Sequence, residues 1–353
     1  MTPPPSVVAG PDRAFGAVLA AAGRRALTRR VLVVAGVLAA LLAAVACSLA
    51  LGAVRIPLHA VVDVLLGRDA HPIDREILLQ LRLPRTVTAL AVGAALGVAG
   101  ALLQGSLGNP LASPDVIGVT GGAAFGAMLI ILLAPGKIAL LPLSAMGFGL
   151  LAAAMVALVA WTGANRGSVT RLILSGIAVG AMFTAATSML MALYPSRVPS
   201  AVMWLAGGLV SDGWETIAAV GPYLAGGLLV AVALVRPLDR LALGDEVAAS
   251  LGTHPRTVRL VAIAAAAVLA AGSAALAGLL GFLGIVVPHA VRLLGGTSSH
   301  GFVVPVSALA GAALLTGGDV VARTIKAPLE LPVGPMMVVI GVPLFLWLLR
   351  RAV

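Results

Sequence analysis

The feature that most constrains this chain is a succession of long apolar runs with almost no charge inside them. Val31 to Leu51 contains no charged residue and matches the roughly 20 residues a helix needs to cross a bilayer's hydrocarbon core. Further runs follow at roughly 84–107, 114–134, 138–161, 170–194, 214–235, 257–277, 279–294, 303–322 and 332–349, which makes ten expected spans. Only 10% of the 353 residues are charged and 60% are hydrophobic, whereas a soluble domain carries about a quarter charged residues. Such a chain lacks the polar surface to cover a water-exposed globule. The sequence therefore predicts an all-α polytopic membrane protein of about ten transmembrane helices.

Punctuation within the runs refines that expectation. The 42 glycines and 22 prolines would argue for disorder in a polar chain. Inside apolar runs they argue for close helix packing and for breaks whose freed backbone groups are re-satisfied by neighbouring helices. Asn109-Pro110, Pro114, Pro288 and Pro343 mark expected breaks or kinks, and Ala201 to Val210 is too short to span. That stretch is expected to be re-entrant or interfacial.

The formal charge of +10 raises the prospect of nucleic acid, but only Lys137 and Lys326 are lysines and no arginine patch is interleaved with aromatics. Topology explains the arginines better. With the N-terminus inside and ten spans, fourteen basic residues fall inside and nine outside, the sign the positive-inside rule requires. Both termini are then cytoplasmic, and residues 1–30 form a cytoplasmic extension. Ala44-Val45-Ala46-Cys47 faintly resembles a lipoprotein cleavage site, but the run is long and many spans follow it. The single cysteine, Cys47, excludes an internal disulfide, and none of the five histidines belongs to a metal-binding pattern.

A weak repeat runs through the chain. Pro84-Arg85-Thr86-Val87 returns as Pro255-Arg256-Thr257-Val258, and Pro114 precedes Gly121-Gly122 by the interval separating Pro288 from Gly295-Gly296. The predicted topology inverts one member of each pair relative to the other, the arrangement that commonly supports alternating access.

No energy-converting chemistry is visible. The only Gly-Lys, Gly136-Lys137, is followed by Ile138, so the chain lacks the Gly-Lys-Ser/Thr of a phosphate-binding loop. No catalytic residue and no bound cofactor or metal is predicted. Titratable groups within spans, the usual mark of an ion-coupled carrier, reduce to Asp115 and Asp319 near predicted helix ends. Asp115 follows Pro114, where a carboxylate favours a helix N-terminus. Uphill transport would have to draw its energy from a partner.

A docking place for that partner is legible in the segment 239–252, within the polar loop Pro237 to Gly252. Leu243, Val247 and Leu251 repeat every four residues as one apolar stripe, with Asp245 and Glu246 in the first turn and Gly252 at a C-cap position. A short amphipathic cytoplasmic helix is expected here, either as a handle for a soluble subunit or as an ordinary surface helix.

These residues, with further motifs, carry a resemblance. Leu81-Arg82-Leu83-Pro84-Arg85, Gly93-Ala94-Ala95-Leu96 through Gln104, Asn109 to Pro114, Gly118 to Ala123, Leu241 to Gly252, Gly281 to His289, Asp319 to Arg323, Glu330 to Gly334 and Gly341 to Phe345 occur in order. The chain resembles the FecCD family of ABC-importer permeases over residues 31–350. The resemblance implies a dimer with a second permease subunit, a cytoplasmic ABC ATPase dimer using ATP and Mg, and an extracytoplasmic substrate-binding protein. It further implies a multi-pass protein of the cytoplasmic (inner) membrane that imports an iron-siderophore complex by alternating access, with haem and cobalamin as alternative substrates.

By the same resemblance, ATPase coupling falls on Leu241, Leu243, Gly244, Asp245, Glu246, Ala248, Leu251 and Gly252. Binding-protein docking falls on Arg82, Arg85 and Arg323. The family's translocation path maps to spans five and ten, where Ser175, Thr184, Thr187 and Ser188 supply hydroxyls; its cytoplasmic constriction maps to Ser168, Val169 and Thr170. The rival function is an ion-coupled carrier dependent on Asp115 or Asp319.

Overall fold

A computed structural model of the protein describes residues 11–52, 54–68, 71–162, 169–209, 213–327 and 329–352. The described residues form helices and connecting turns, with no strand among them. The first helix, α1 (Pro11–Ala50), contains the first predicted span and continues twenty residues toward the N-terminus. At 1.5 Å per residue it is about 60 Å long, about twice the hydrocarbon thickness, so part of it lies beyond the bilayer. Two short helices follow, α2 (Leu58–Leu65) and α3 (Pro72–Glu76). A π-helical turn, Ile77–Arg82, joins α3 to α4 (Leu83–Leu107).

The second half of the predicted order is equally clear. The chain continues through α5 (Val119–Met128), extended to Leu133 by π-helical geometry, α6 (Leu141–Trp161) and α7 (Val169–Leu193). Then come α8 (Val198–Leu205), α9 (Gly213–Leu241), α10 (Asp245–Ser250), α11 (Pro255–Ala277), α12 (Leu283–Gly295), α13 (His300–Thr324) and α14 (Val333–Ala352). The ten expected spans correspond to α1, α4, α5, α6, α7, α9, α11, α12, α13 and α14. The short helix expected within 201–210 is α8; Val210 itself lies outside the described residues.

Helix α4 is the centre of the bundle, packed against α13, α11, α9 and α12. Its packing rests on small residues spaced three and four apart. A Cβ on Gly93 would collide with the backbone of Gly311, one on Gly97 with the Ser307 carbonyl, and one on Gly100 with the Gly284 carbonyl. In lipid no hydrophobic force drives helices together, so close backbone approach supplies the dispersion energy that does. Helix α1 packs chiefly on α13; in its most apolar stretch only 6% of residues are buried, as a lipid-facing helix requires.

The repeat survives in part. Pro84 and Pro255 both occupy the first turn of a long helix, α4 and α11, and each long helix is followed by a short one, α5 and α12. The second sequence pair is not equivalent. Pro114 opens a 3₁₀ turn before α5, whereas Pro288 lies inside α12, and Gly121-Gly122 begins a helix that Gly295-Gly296 ends. Short Ala/Gly-rich matches recur wherever helices pack closely, so spacing alone does not identify equivalent positions. A further difference is at Pro237, expected to open a loop but accommodated inside α9, which runs on to Leu241.

Candidate coupling site and charged cluster

The middle of α1 around Arg29, the C-terminal ends of α4, α9 and α12, and the N-terminal ends of α11 and α13 gather at one end of the bundle. Here α10 stands between α9 and α11. Gly244 at φ 99° and Gly252 at φ 75° bracket it, a backbone region that side-chain-bearing residues avoid. The helix is shorter than the stripe suggested, but the stripe is real. Leu243, Val247 and Leu251 are 61%, 46% and 51% exposed, while Ala248 between them is fully buried beneath the helix. Asp245 and Glu246 occupy the first turn, and Leu241 is buried at the end of α9.

Side chains tie α10 to its neighbours. Arg259 of α11 donates from both terminal nitrogens to Asp245, at 2.7 and 2.8 Å, and from Nε to the Ser106 carbonyl at the end of α4, at 3.1 Å. Arg240 reaches the Leu251 carbonyl and Thr253 Oγ1 at 3.4 and 3.3 Å. Nearby, Asp239 of α9 accepts from the His300 backbone at 2.6 Å and meets its Nδ1 at 2.8 Å, joining α9 to α13. Arg29 of α1 donates to the Leu293 and Leu294 carbonyls at 2.5 and 2.7 Å, where the carbonyls ending α12 lack intrahelical donors. Sequence reasoning missed Arg259. Its signal was a pair of opposite charges, Asp245 and Arg259, flanking the tight Gly252–Pro255 turn between two helices.

At the opposite end the three arginines expected to face a binding protein are gathered, but not as free charges. Arg82 is 5% exposed and donates to the Leu49 carbonyl at 2.5 Å and to the Val54 carbonyl. Arg323 is 5% exposed and donates to the Ser48 carbonyl at 2.6 Å and to Ser48 Oγ at 2.9 Å. These two are therefore buried, because they supply donors to the Leu49 and Ser48 carbonyls that end α1. Arg85 lies between two carboxylates. It contacts Asp319 at 2.8 Å and Glu330 at 2.6 Å, with Arg85 15% exposed, Asp319 1% and Glu330 54%. Asp319 is also 3.6 Å from Arg323. Ser48 and Thr86 hydroxyls, 2.7 Å apart, complete the cluster.

The hydroxyls assigned to the transport path divide between the two faces of α7. Ser175 and Thr187 are buried at 6% each, on the face whose Gly176 and Gly180 meet the backbone of residues 116–118. They face a packing surface within the subunit, and Ser175 donates to the Arg171 carbonyl. Thr184 and Ser188 lie on the exposed face with Leu174, Ile177 and Met189. Thr170 is exposed and Val169 half-buried; Ser168 lies outside the described residues. Of the two carboxylates a carrier would need, Asp319 is committed to its arginines, while Asp115 bonds Thr120 and Ser113 side chains at the start of α5.

Among the described residues, seven helices long and apolar enough to cross a membrane and three shorter apolar ones, α5, α12 and α14, define a multi-pass membrane protein. The chain belongs to the FecCD transport family, whose sequence model matches residues 16–351. It is 38% identical over 306 residues to the Fe(3+)-citrate import system permease protein YfmE of Bacillus subtilis, covering 86% of this chain and 90% of that one. It is 37% identical over 306 residues to the Fe(3+) dicitrate transport system permease protein FecD of Escherichia coli, covering 86% and 93%. Relatives named for iron-hydroxamate, haemin and cobalamin import also match. Among solved structures, an inward-facing metal-chelate type ABC transporter aligns with a TM-score of 0.80 and 30% identity over 90% of this chain and 98% of the other.

Proposed function

We propose that this chain is the membrane permease of a binding-protein-dependent ABC importer that carries a ferric chelate of the siderophore or citrate type into the cell. The observation that carries the reading is the exposed Leu243–Val247–Leu251 stripe on α10. Three large apolar side chains turned outward on a short helix, at the end of the bundle where Arg24, Arg25 and Arg29 mark the cytoplasmic face, need a soluble partner to cover them. ABC ATPase subunits are that partner. ATP binding and hydrolysis there move α10, and the bundle opens alternately to the two sides. The exposed faces of α7 and α14 meet a second permease subunit, with the substrate passing between them along Thr184 and Ser188.

On the outer side, Arg85 and Glu330 offer the surface a binding protein would meet, with Arg82 and Arg323 holding the ends of α1, α4 and α13 in place beneath it. Charges at such a rim, here chiefly the exposed Glu330, set orientation and association rate more than affinity. The ion-coupled carrier finds no support in Asp319, whose charge is already neutralised.

The test is uptake of radiolabelled ferric citrate and a ferric hydroxamate by proteoliposomes containing permease, ATPase and binding protein, with ATP inside or omitted. ATP-dependent uptake of either chelate is the expected result. Uptake of haem or cobalamin alone would reassign the substrate, and uptake without ATP would refute the importer mechanism.

A further inference from the structure

Resting on the reading of α10 as the ATPase contact, we infer that Arg259 is the positioning residue that carries the motion of α10 into the membrane core, and that it matters most on the return stroke. Two kinds of contact join α10 to the bundle. Beneath the helix, Ala248 is fully buried, and the Thr253 amide donates to the Ala248 carbonyl at 2.9 Å. Packing of this kind transmits compression: when α10 is pushed toward the membrane, what lies beneath must yield. It transmits almost no tension, because dispersion attraction falls away within about 1 Å of separation.

Tension passes to α9 and α11 along the covalent turns and the Thr253–Ala248 bond, but the directional bonds that carry it to α4 are those of Arg259. Its guanidinium holds Asp245 through two charge-assisted bonds in parallel, the geometry that adds specificity to strength. The remaining Nε–H is bonded to the Ser106 carbonyl. One rigid planar group therefore links three elements: α10 through Asp245, α11 through its own backbone, and α4 through Ser106. The α4 contact lies one residue before the helix ends at Leu107, where Gly108 turns left-handed at φ 60°, so the guanidinium also satisfies a carbonyl that the helix itself leaves unpaired. The Arg259 side chain is 22% exposed and that of Asp245 54%. The link is thus shielded on its α4 side and wet on its α10 side.

What α4 receives, the bundle receives. It packs backbone to backbone against α13 at Gly93 and Gly97 and against α12 at Gly100. Those contacts have no flexible side chains to absorb a displacement. Gln104, two residues before Ser106, donates to the Gly284 and Ile285 carbonyls at 3.2 Å each and accepts from Arg292, so α12 is tied to the same end of α4. The contacts of Arg240 fall on the turn after α10, at Leu251 and Thr253, are longer, at 3.3 to 3.4 Å, and lead back to α9 without reaching α4.

The experiment uses the complete transporter in proteoliposomes and reads transport of ferric citrate per ATP hydrolysed. Arg259→Gln is expected to retain its ATPase subunits and to hydrolyse ATP, while transport per ATP falls about tenfold, the effect of losing one charged hydrogen-bonded contact. Arg259→Lys, which keeps the charge on Asp245 but cannot also reach Ser106, should fall between. The double variant Asp245→Asn with Arg259→Gln should be no worse than the poorer single variant, because both break one link. Unchanged transport per ATP in Arg259→Gln, or additive losses in the double variant, would overturn the proposal while leaving α10 as the ATPase contact. Failure of the wild-type permease to bind its ATPase would remove the reading itself and the proposal with it.

Discussion

Glycine-to-alanine substitutions along this chain should change sign with position. Gly36 and Gly147 sit in α1 and α6 with nothing within 4 Å of where a Cβ would stand. Alanine there reduces the freedom of the unfolded chain and should stabilise by about 0.5–1 kcal/mol. At Gly100 the same methyl would overlap the Gly284 carbonyl oxygen and stand 2.6 Å from its carbon and 2.7 Å from its Cα. These are backbone atoms, so no rotamer change relieves the contact; α4 and α12 must separate locally by about 1 Å. Overpacking of this kind costs about 1–3 kcal/mol, and the separation also weakens the Gln104 bonds to Gly284 and Ile285. After the helix-propensity gain is subtracted, Gly100→Ala should be destabilised by about 1–2 kcal/mol. At roughly 2–4 °C per kcal/mol, that is a fall of about 2–8 °C in detergent, against a small rise for Gly36→Ala and Gly147→Ala. Thermal unfolding followed by tryptophan fluorescence measures all three. Equal shifts at the three sites would refute the argument that backbone contact, not glycine content, holds α4 in place.

Other consequences concern the two ends of the bundle and α7. Arg85→Gln leaves the carboxylate of Asp319 buried with only Arg323 at 3.6 Å and should cost about 3 kcal/mol; Glu330→Gln, on an exposed partner, should cost under about 1 kcal/mol. Comparing their melting temperatures checks the difference. Leu243→Asp with Val247→Asp should abolish co-purification of the ATPase subunits while leaving the melting temperature unchanged, since both side chains already face water. In a Cys47→Ser background, Thr184→Cys and Ser188→Cys in the isolated permease should react with a small maleimide, whereas Ser175→Cys and Thr187→Cys should be protected. Equal reactivity of all four would contradict the division of α7 into two faces.

Legibility differed by kind of residue. Spans were readable because the hydrophobic signal is local: a run of apolar side chains long enough to cross lipid announces itself whatever it packs against. The apolar stripe at α10 was readable from its four-residue spacing, and the structure leaves Leu243, Val247 and Leu251 exposed although only Val247 lies within the helix itself. The arginines were located at the correct helix ends but their surroundings were not. Arg82 and Arg323 look in sequence like any flanking charge; the ends of α1 arriving beside them from some 30 to 270 residues away convert them into caps for carbonyls. Likewise Ser175, Thr184, Thr187 and Ser188 lie on one helix, and which of them faces a neighbour depends on where α5 and α6 stand.

What the sequence determined by itself, then, is a chain that must live in a membrane as a bundle of helices, with one amphipathic segment left outside. Composition and period suffice for that, because the bilayer demands internally satisfied backbone and an apolar exterior at every span. Only the tertiary structure decided that Asp319 is paired with Arg85, that Gly93, Gly97 and Gly100 are contact points instead of flexible ones, and that Arg259 joins α10 to α4. Each of those depends on two segments distant in sequence meeting within about 3 Å, the range over which a hydrogen bond or an ion pair forms, and no local pattern encodes such a meeting.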